Sequence, residues 1–293
     1  MDGIIIINKP QNCTSHDVVY KVKKMFNKKV GHTGTLDPMA TGVLPLLIGK
    51  GTLCSKYLIE HDKIYNVTLQ LGIRTDTADI EGQVIEKREV NKANLDEKNV
   101  LNVFKSFLGE QKQTPPIYSA IKVKGKKLYE YARKGQTVEI PTRVINIYDI
   151  QLLNIDKENY KIEFEVHCSK GTYIRSLCED IATRLGTIGY MTKLHRTKVG
   201  QFKVEDAITI KELEEVVNKE EIENIKTKYI IPIEKIFEKS RTIELSPHKL
   251  KHFLNGVKLT INEQDGVYKI YCDNKFIGTG IVKDKLIKRD VII

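Results

Sequence analysis

No apolar run in this 293-residue chain approaches the roughly 20 residues that cross a membrane as a helix. Its N-terminus has no basic region followed by an apolar segment and a small-residue cleavage site. Met1-Asp2-Gly3-Ile4-Ile5-Ile6-Ile7 reads instead as a strand that starts almost at once. A cytoplasmic protein with no membrane partner is the expectation. Cysteine is scarce: Cys13, Cys54, Cys168, Cys178 and Cys272 are scattered, odd in number and form no C-x-x-C pair. That argues against a disulfide framework and a zinc ribbon, and the thiols read as small buried hydrophobes. His248 and His252 lack further ligands nearby, as do Asp76 and Asp79, and a metal site needs three or four. Gly49-Lys50 fails as a phosphate-binding loop, because Leu44 stands where that motif needs glycine and Gly51 where it needs Ser or Thr. No metal, no cofactor, no internal repeat and no low-complexity segment are expected.

The chain is 41% hydrophobic and 29% charged, which gives a proper core and the prior of one large domain plus a small one. Its net charge of +10 is weak support for a polyanionic partner until its distribution is considered. Between Gln111 and Val138 seven lysines and arginines face a single acid, Glu130, so over half of the net charge sits in under a tenth of the chain. Glu212, Glu214, Glu215, Glu220, Glu221 and Glu223 form an acidic helix face elsewhere. Charge sorted by region favours a nucleic-acid surface over plain solubility.

Gly31-His32-Thr33-Gly34-Thr35-Leu36-Asp37-Pro38-Met39-Ala40-Thr41-Gly42 precedes the apolar run Val43 to Ile48. Its three glycines and its proline mark a tight loop, and a loop carboxylate held against a buried strand is where rigid scaffolds place chemistry. Asp37 can equally be the N-cap of a short helix with Pro38 at its first position, the commoner use of such a pair. The residues alone leave both open.

This twelve-residue loop resembles the catalytic-loop signature of the bacterial tRNA pseudouridine-55 synthases, the TruB family. Further motifs of that family follow in order, strongly over about residues 1–230 and weakly beyond. The resemblance implies that Asp37 is the catalytic residue. Lys9-Pro10 with Ser15 and Asp17 resembles the opening motif that shapes the site floor. Lys63-Ile64-Tyr65 matches a Lys-x-Tyr pattern whose tyrosine lies against the target base. By alternation alone Tyr65 sits on the apolar face of a strand over Lys63 to Gly72, as a core tyrosine would. Gly171-Thr172-Tyr173-Ile174-Arg175-Ser176-Leu177 matches the motif in which Arg175 pairs with the aspartate and Tyr173 lines the pocket. Lys193-Leu194-His195-Arg196-Thr197 matches Leu-x-Arg-Thr, which makes Leu194 an apolar wall. His32 is implied to contact the target nucleotide rather than to move protons. Arg74-Thr75-Asp76-Thr77 matches too, but there Asp76 and Asp79 read as turn and capping groups.

The basic segment, about 111–138, interleaves lysines with tyrosines: charge for phosphates, flat rings for exposed bases. Alone it reads as a solvated hairpin and helix. It resembles the family's thumb, which clamps the tRNA T-arm, and Lys122, Lys124, Lys126, Lys127, Tyr129 and Arg133 are its candidate contacts. Standalone enzymes have the thumb and guide-RNA-dependent relatives do not, so no guide RNA is expected.

The pattern predicts helices over Ser15 to about Met25, Gly49 to about Ile59, Leu95 to Leu108 and one capped by Thr172, with strands over Val138–Asn154 and Tyr160–Cys168. Residues 231–240 read as a linker. Residues 241–293 read as a small β-rich unit that resembles, loosely, the PUA-type RNA-binding module. The expectation is therefore α+β: a pseudouridine-synthase fold with a mixed, mainly antiparallel sheet flanked by helices, plus a PUA-like C-terminal domain. The implied activity is isomerisation of uridine to pseudouridine at position 55 in the T-loop of tRNA, by a monomer. A tRNA-binding folding chaperone and a synthase acting on ribosomal RNA are the alternatives.

Overall fold

A computed structural model describes residues 2–59, 61–219 and 222–293. Glu220 and Glu221 of the expected acidic face lie outside the described residues, between the helices Ile210–Lys219 and Ile222–Tyr229. Because Gly3–Lys9 is apolar on both sides, it is buried on both. Ile4 and Ile6 face one cluster with Leu47 and Phe202, while Ile5 and Ile7 face another with Val18, Val22 and Leu46. It pairs antiparallel with Thr41–Ile48, from Gly3 opposite Ile48 to Lys9 opposite Gly42.

The main sheet runs in the order Ile208–Thr209, Gly3–Lys9, Thr41–Ile48, Gly189–Val199, Lys63–Leu71, Lys161–Cys168, Arg143–Asp156, Gly109–Gln113. Val30–His32 pairs with Thr41–Ile48, and Phe202–Lys203 with Gly189–Val199. Its pairings are antiparallel except at Ile208–Thr209 and where Thr41 and Gly42 meet His195 and Arg196. At that second junction a Cβ on Gly42 would lie 2.2 Å from the Arg196 carbonyl oxygen, so glycine is required for the strands to meet.

Alternation along Lys63–Leu71 buries Tyr65, Val67, Leu69 and Leu71. Phe164 of the next strand joins them beneath the helices Glu97–Lys105 and Ile174–Arg184, which contribute Phe104 and Ile181. On the first helix, Ser15–Phe26, Thr14 and Asp17 form a capping box and Val18, Val19 and Val22 are buried.

Several boundaries differ from the pattern. Lys92–Leu95 is a separate 3-10 turn, and the helix starts at Glu97 because the Asp96 carboxylate accepts from Lys98 N–H. Gly49–Cys54 is 3-10, leaving only Ser55–Leu58 as α-helix. The strand expected from Val138 begins at Arg143, beyond Pro141, which has no N–H to give a ladder. Thr172 does not cap the helix that follows: its hydroxyl turns back to Ser169 O, and Tyr173 takes the cap position without a side-chain bond.

Residues 241–293 form a five-stranded sheet, Thr242–Glu244, Gly266–Cys272, Lys275–Lys283, Leu286–Ile292, Leu259–Thr260, with the helix Pro247–Leu254. This β-rich unit agrees with the PUA-like expectation. The stretch read as a linker is packed: Ile231 exchanges both backbone hydrogen bonds with Ile4, and Ile233 and Phe237 are buried with Cys54 and Val291. There Asp290 is held by Lys56, Tyr57 and Thr279. Burial opposes ionisation of Asp290, but those three hydrogen bonds outweigh it and hold the carboxyl below its usual range. A depressed carboxyl contributes stability that is full above an ordinary pKa of about 4 and lost as pH falls through the lowered value. Asp290→Asn should therefore cost about 1–3 kcal/mol at neutral pH. The gap between the thermal melts of the two proteins should narrow as pH falls below about 4, the ordinary carboxyl range.

Candidate active site

Asp37 opens a β-turn between Val30–His32 and Thr41–Ile48, with its carbonyl accepting from Ala40 N–H at 3.0 Å and Pro38 second in the turn. No helix begins there, so the capping alternative is excluded.

Three residues from the start of the chain fix this turn. Lys9, fully buried, donates its ammonium to the carbonyls of Pro10 (2.9 Å), Pro38 (3.2 Å) and Ala40 (2.7 Å). Asn12 N–H bonds Pro38 O at 3.0 Å. The Ser15 hydroxyl donates to Leu36 O and accepts from Leu36 N–H, at 3.1 and 2.9 Å. Burial pushes the Lys9 amine down. Three carbonyl dipoles accept its protons all the same.

Arg175, in the first turn of Ile174–Arg184, reaches Asp37 with two nitrogens, Nε to Oδ2 at 3.1 Å and Nη2 to Oδ1 at 3.3 Å. The guanidinium is buried and otherwise saturated: Nη1 meets Asp79 Oδ2 at 3.3 Å and Thr77 O at 3.1 Å, and Nη2 bonds Tyr118 O at 3.0 Å. A fork of this kind fixes the carboxylate's rotamer and leaves its outer face available. The Asp37 side chain keeps a third of its surface exposed. Its pKa is nevertheless raised: burial among the loop and thumb atoms, helped by the Asp79 carboxylate, exceeds the opposing pull of Arg175 and Lys9.

A cavity of about 800 Å³ opens over this carboxylate. Asp37, Tyr65, Tyr173, Arg175 and Leu194 all line it, so five residues chosen from widely spaced motifs share one space. Tyr65 is buried, and its hydroxyl is pushed up to about 12 by that burial. Tyr173 is held by Gln113, whose amide accepts from the Tyr173 N–H at 2.8 Å and donates to its carbonyl at 3.0 Å. His32 stands just outside the lining stretch Thr33–Asp37; burial and the Arg196 cation lower its pKa, so it is neutral at physiological pH.

In the basic segment, Lys122–Val123 and Lys126–Lys127 make a hairpin whose loop residues, Lys124 and Gly125, both have positive φ. Gln111, Lys112 and Gln113, counted with the thumb by composition, belong to the main sheet. Lys122, Lys124, Lys126 and Arg133 are exposed. Tyr129 of the short helix Leu128–Ala132 lines the cavity, with Lys127 and the Arg133 guanidinium each 5.3 Å from its ring centroid. Cations over that ring set it as a flat face beside the opening.

Sequence reasoning missed three positioning groups. Asp79, read as a turn former, does accept from Thr77 and Glu81 N–H, but its other oxygen belongs to Arg175. Gln113 was not singled out. Arg196 is almost fully buried, with Nε on Val43 O at 2.8 Å and Nη2 on Gly34 O at 3.1 Å, so it braces the loop from beneath Tyr65. Two signals were available for Arg196: its place in the Leu-x-Arg-Thr match and the inward phase of an alternating strand.

Comparison with known proteins bears on the whole arrangement. The TruB family pseudouridylate synthase N-terminal domain matches residues 23–174, and the tRNA pseudouridylate synthase B C-terminal domain matches 175–238. The chain belongs to the TruB family. The tRNA pseudouridine synthase B of Clostridium kluyveri is 46% identical over 97% of this chain and 96% of its own length. That of Clostridium tetani is 45% identical over 96% and 95%. Among solved structures, a Cbf5–Nop10–Gar1 complex aligns with a TM-score of 0.71 at 27% identity, covering 99% of this chain and 84% of that one. The pseudouridine-synthase fold is thereby established. The boundary between the two TruB domains falls between Ile174 and Arg175, so Asp37, Tyr65 and Tyr173 come from one and Arg175 and Leu194 from the other.

Proposed function

We propose that this chain isomerises uridine to pseudouridine in tRNA, at position 55 of the T-loop, with Asp37 as the catalytic residue. The observation that carries the proposal is the Asp37 carboxylate, forked by Arg175 at the floor of a cavity of about 800 Å³, roomy enough for an extruded nucleotide but not for a helix. A base inside a folded T-loop reaches such a cavity only by extrusion, at a cost of a few kcal/mol in lost stacking. Stacking on Tyr65 and phosphate contacts from the exposed hairpin lysines offset that cost.

The reaction breaks the bond between ribose C1′ and uracil N1 and joins C1′ to C5. N1 gains a proton and C5 loses one, so no electrons or outside groups are exchanged. Asp37 serves as nucleophile at the uracil ring or at C1′, or as base at ribose C2′. The apolar wall from Leu194 and the ring of Tyr173 keep the freed base in place while it turns. In this reading residues 1–230 are the catalytic domain, 111–138 contact the T-arm with His32 beside the target nucleotide, and 241–293 add an RNA surface. The enzyme works as a cytoplasmic monomer and needs no guide RNA.

The test is pseudouridine mapping on unmodified tRNA transcript and on ribosomal RNA fragments, side by side, with protein alone. Modification at the T-loop uridine is expected. A preference for ribosomal RNA would overturn the substrate, and tight tRNA binding without modification would favour the folding-chaperone role.

A further inference from the structure

Arg143 begins the strand by which the basic segment returns to the main sheet, opposite Gln113 on the outgoing strand. The two residues hold Tyr173 together, the Gln113 side-chain amide at the Tyr173 backbone and the Arg143 guanidinium 5.5 Å from the ring centroid. Gly171 leaves room for that arrangement. It has φ +77°, and a Cβ there would come within 3.2 Å of Arg143 Nη1.

What Arg143 lacks is an acceptor. Its Nε is buried with no hydrogen-bond partner among the described residues, a costly state for a guanidinium. The other two arginines lining the cavity are engaged: Arg175 by two carboxylates and two carbonyls, Arg196 by two carbonyls and the Tyr65 hydroxyl. Arg143 is also differently placed. Arg196, Tyr65 and Leu194 are buried at the floor, whereas Arg143 is half-buried and adjoins the exposed Val144, Lys170 and Gly171 at the rim.

We propose that Arg143 binds a backbone phosphate beside the extruded nucleotide. A guanidinium over Tyr173 keeps its outer edge free, and the two parallel N–H donors there, one from each Nη, match phosphate oxygens. At the rim it meets the strand where the nucleotide leaves the helix, not the reacting atoms at the floor. Arg143 is thus a binding residue for this reaction, and the assignment rests on the uridine reading of the cavity.

The experiment measures equilibrium binding of a T-arm stem-loop RNA across a potassium chloride series, in the Asp37→Asn background so that turnover does not intrude. Arg143→Ala should weaken binding roughly tenfold at about 0.1 M salt and reduce the salt slope by about 0.7–0.9, one phosphate's share. Arg143→Lys should restore the slope and part of the affinity. A methylphosphonate at one phosphate flanking the target uridine should weaken binding to the Arg143 protein by a similar factor and leave Arg143→Ala unaffected. Unchanged affinity and slope would overturn the inference. So would a loss with unchanged slope and equal methylphosphonate effects, since that is the mark of a merely displaced Tyr173. Pseudouridine formation by the wild-type protein, scored separately, reports on the uridine reading: if it forms while Arg143→Ala binds normally, only the phosphate assignment fails.

Discussion

Asp37→Asn should reduce single-turnover pseudouridine formation about 10⁴-fold or more while leaving tRNA affinity within about tenfold. The amide keeps the shape of the carboxylate, and Arg175 can still donate to its oxygen, so the loop and the cavity persist. It cannot attack a ring or ribose carbon, and it is no base. Because the Asp37 carboxyl is held above its usual range, the wild-type rate should rise with pH through a value above about 4, as the ionised form appears. The sign for stability is opposite. A carboxyl with a raised native pKa contributes stability below its unfolded pKa and loses it as pH rises through the native one. At neutral pH the substitution should therefore not lower the melting temperature, which separates lost chemistry from lost fold. Retained activity in Asp37→Asn would sink the catalytic assignment.

Arg175→Lys should lower the single-turnover rate by about 10²–10³, or roughly 3–4 kcal/mol, although the charge is kept. One ammonium cannot reproduce the fork onto both Asp37 oxygens while also meeting Asp79, Thr77 O and Tyr118 O. The Asp37 rotamer is then free to wander. Arg175→Ala goes further. It leaves Asp37 and the buried Asp79 with no opposite charge between them, which should cost about 3–5 kcal/mol of stability. It should also move the acid limb of the rate profile to higher pH, because the cation that favours ionised Asp37 has gone. A purely structural role for Arg175 would lower the melting temperature without moving that limb.

The residues legible in the sequence were those whose local pattern and motif coincide. Tyr65 falls on the inward phase of an alternating strand, and Asp37 lies in a loop full of glycine. Less legible were groups whose role depends on a partner far along the chain. Asp79 has the spacing of a turn former and is one, so nothing local shows that its second oxygen faces Arg175. Gln113 is an unremarkable glutamine until the sheet brings it to the backbone of Tyr173. Lys9 reads in the sequence as part of a motif that shapes the site floor, but nothing local shows that its ammonium joins carbonyls from two separate loops. Helix ends were misjudged where a side chain took another bond, as Thr172 does with Ser169 O. Residues 231–240 read as a linker, yet a bridge to Ile4 and two buried side chains, Ile233 and Phe237, tie them down through partners far along the chain.

That Asp37 and its guanidinium partner lie 138 residues apart in the chain sets a timetable for synthesis. The loop leaves the ribosome early, but Arg175, Leu194 and Arg196 are added more than 130 residues later. At about 5–20 residues per second, that delay is roughly 7–30 s. Throughout it the nascent loop has its carboxylate but neither its clamp nor the strand that braces it. A growing chain therefore cannot begin to modify RNA, and a fragment released before residue 175 would carry the signature loop with no working site.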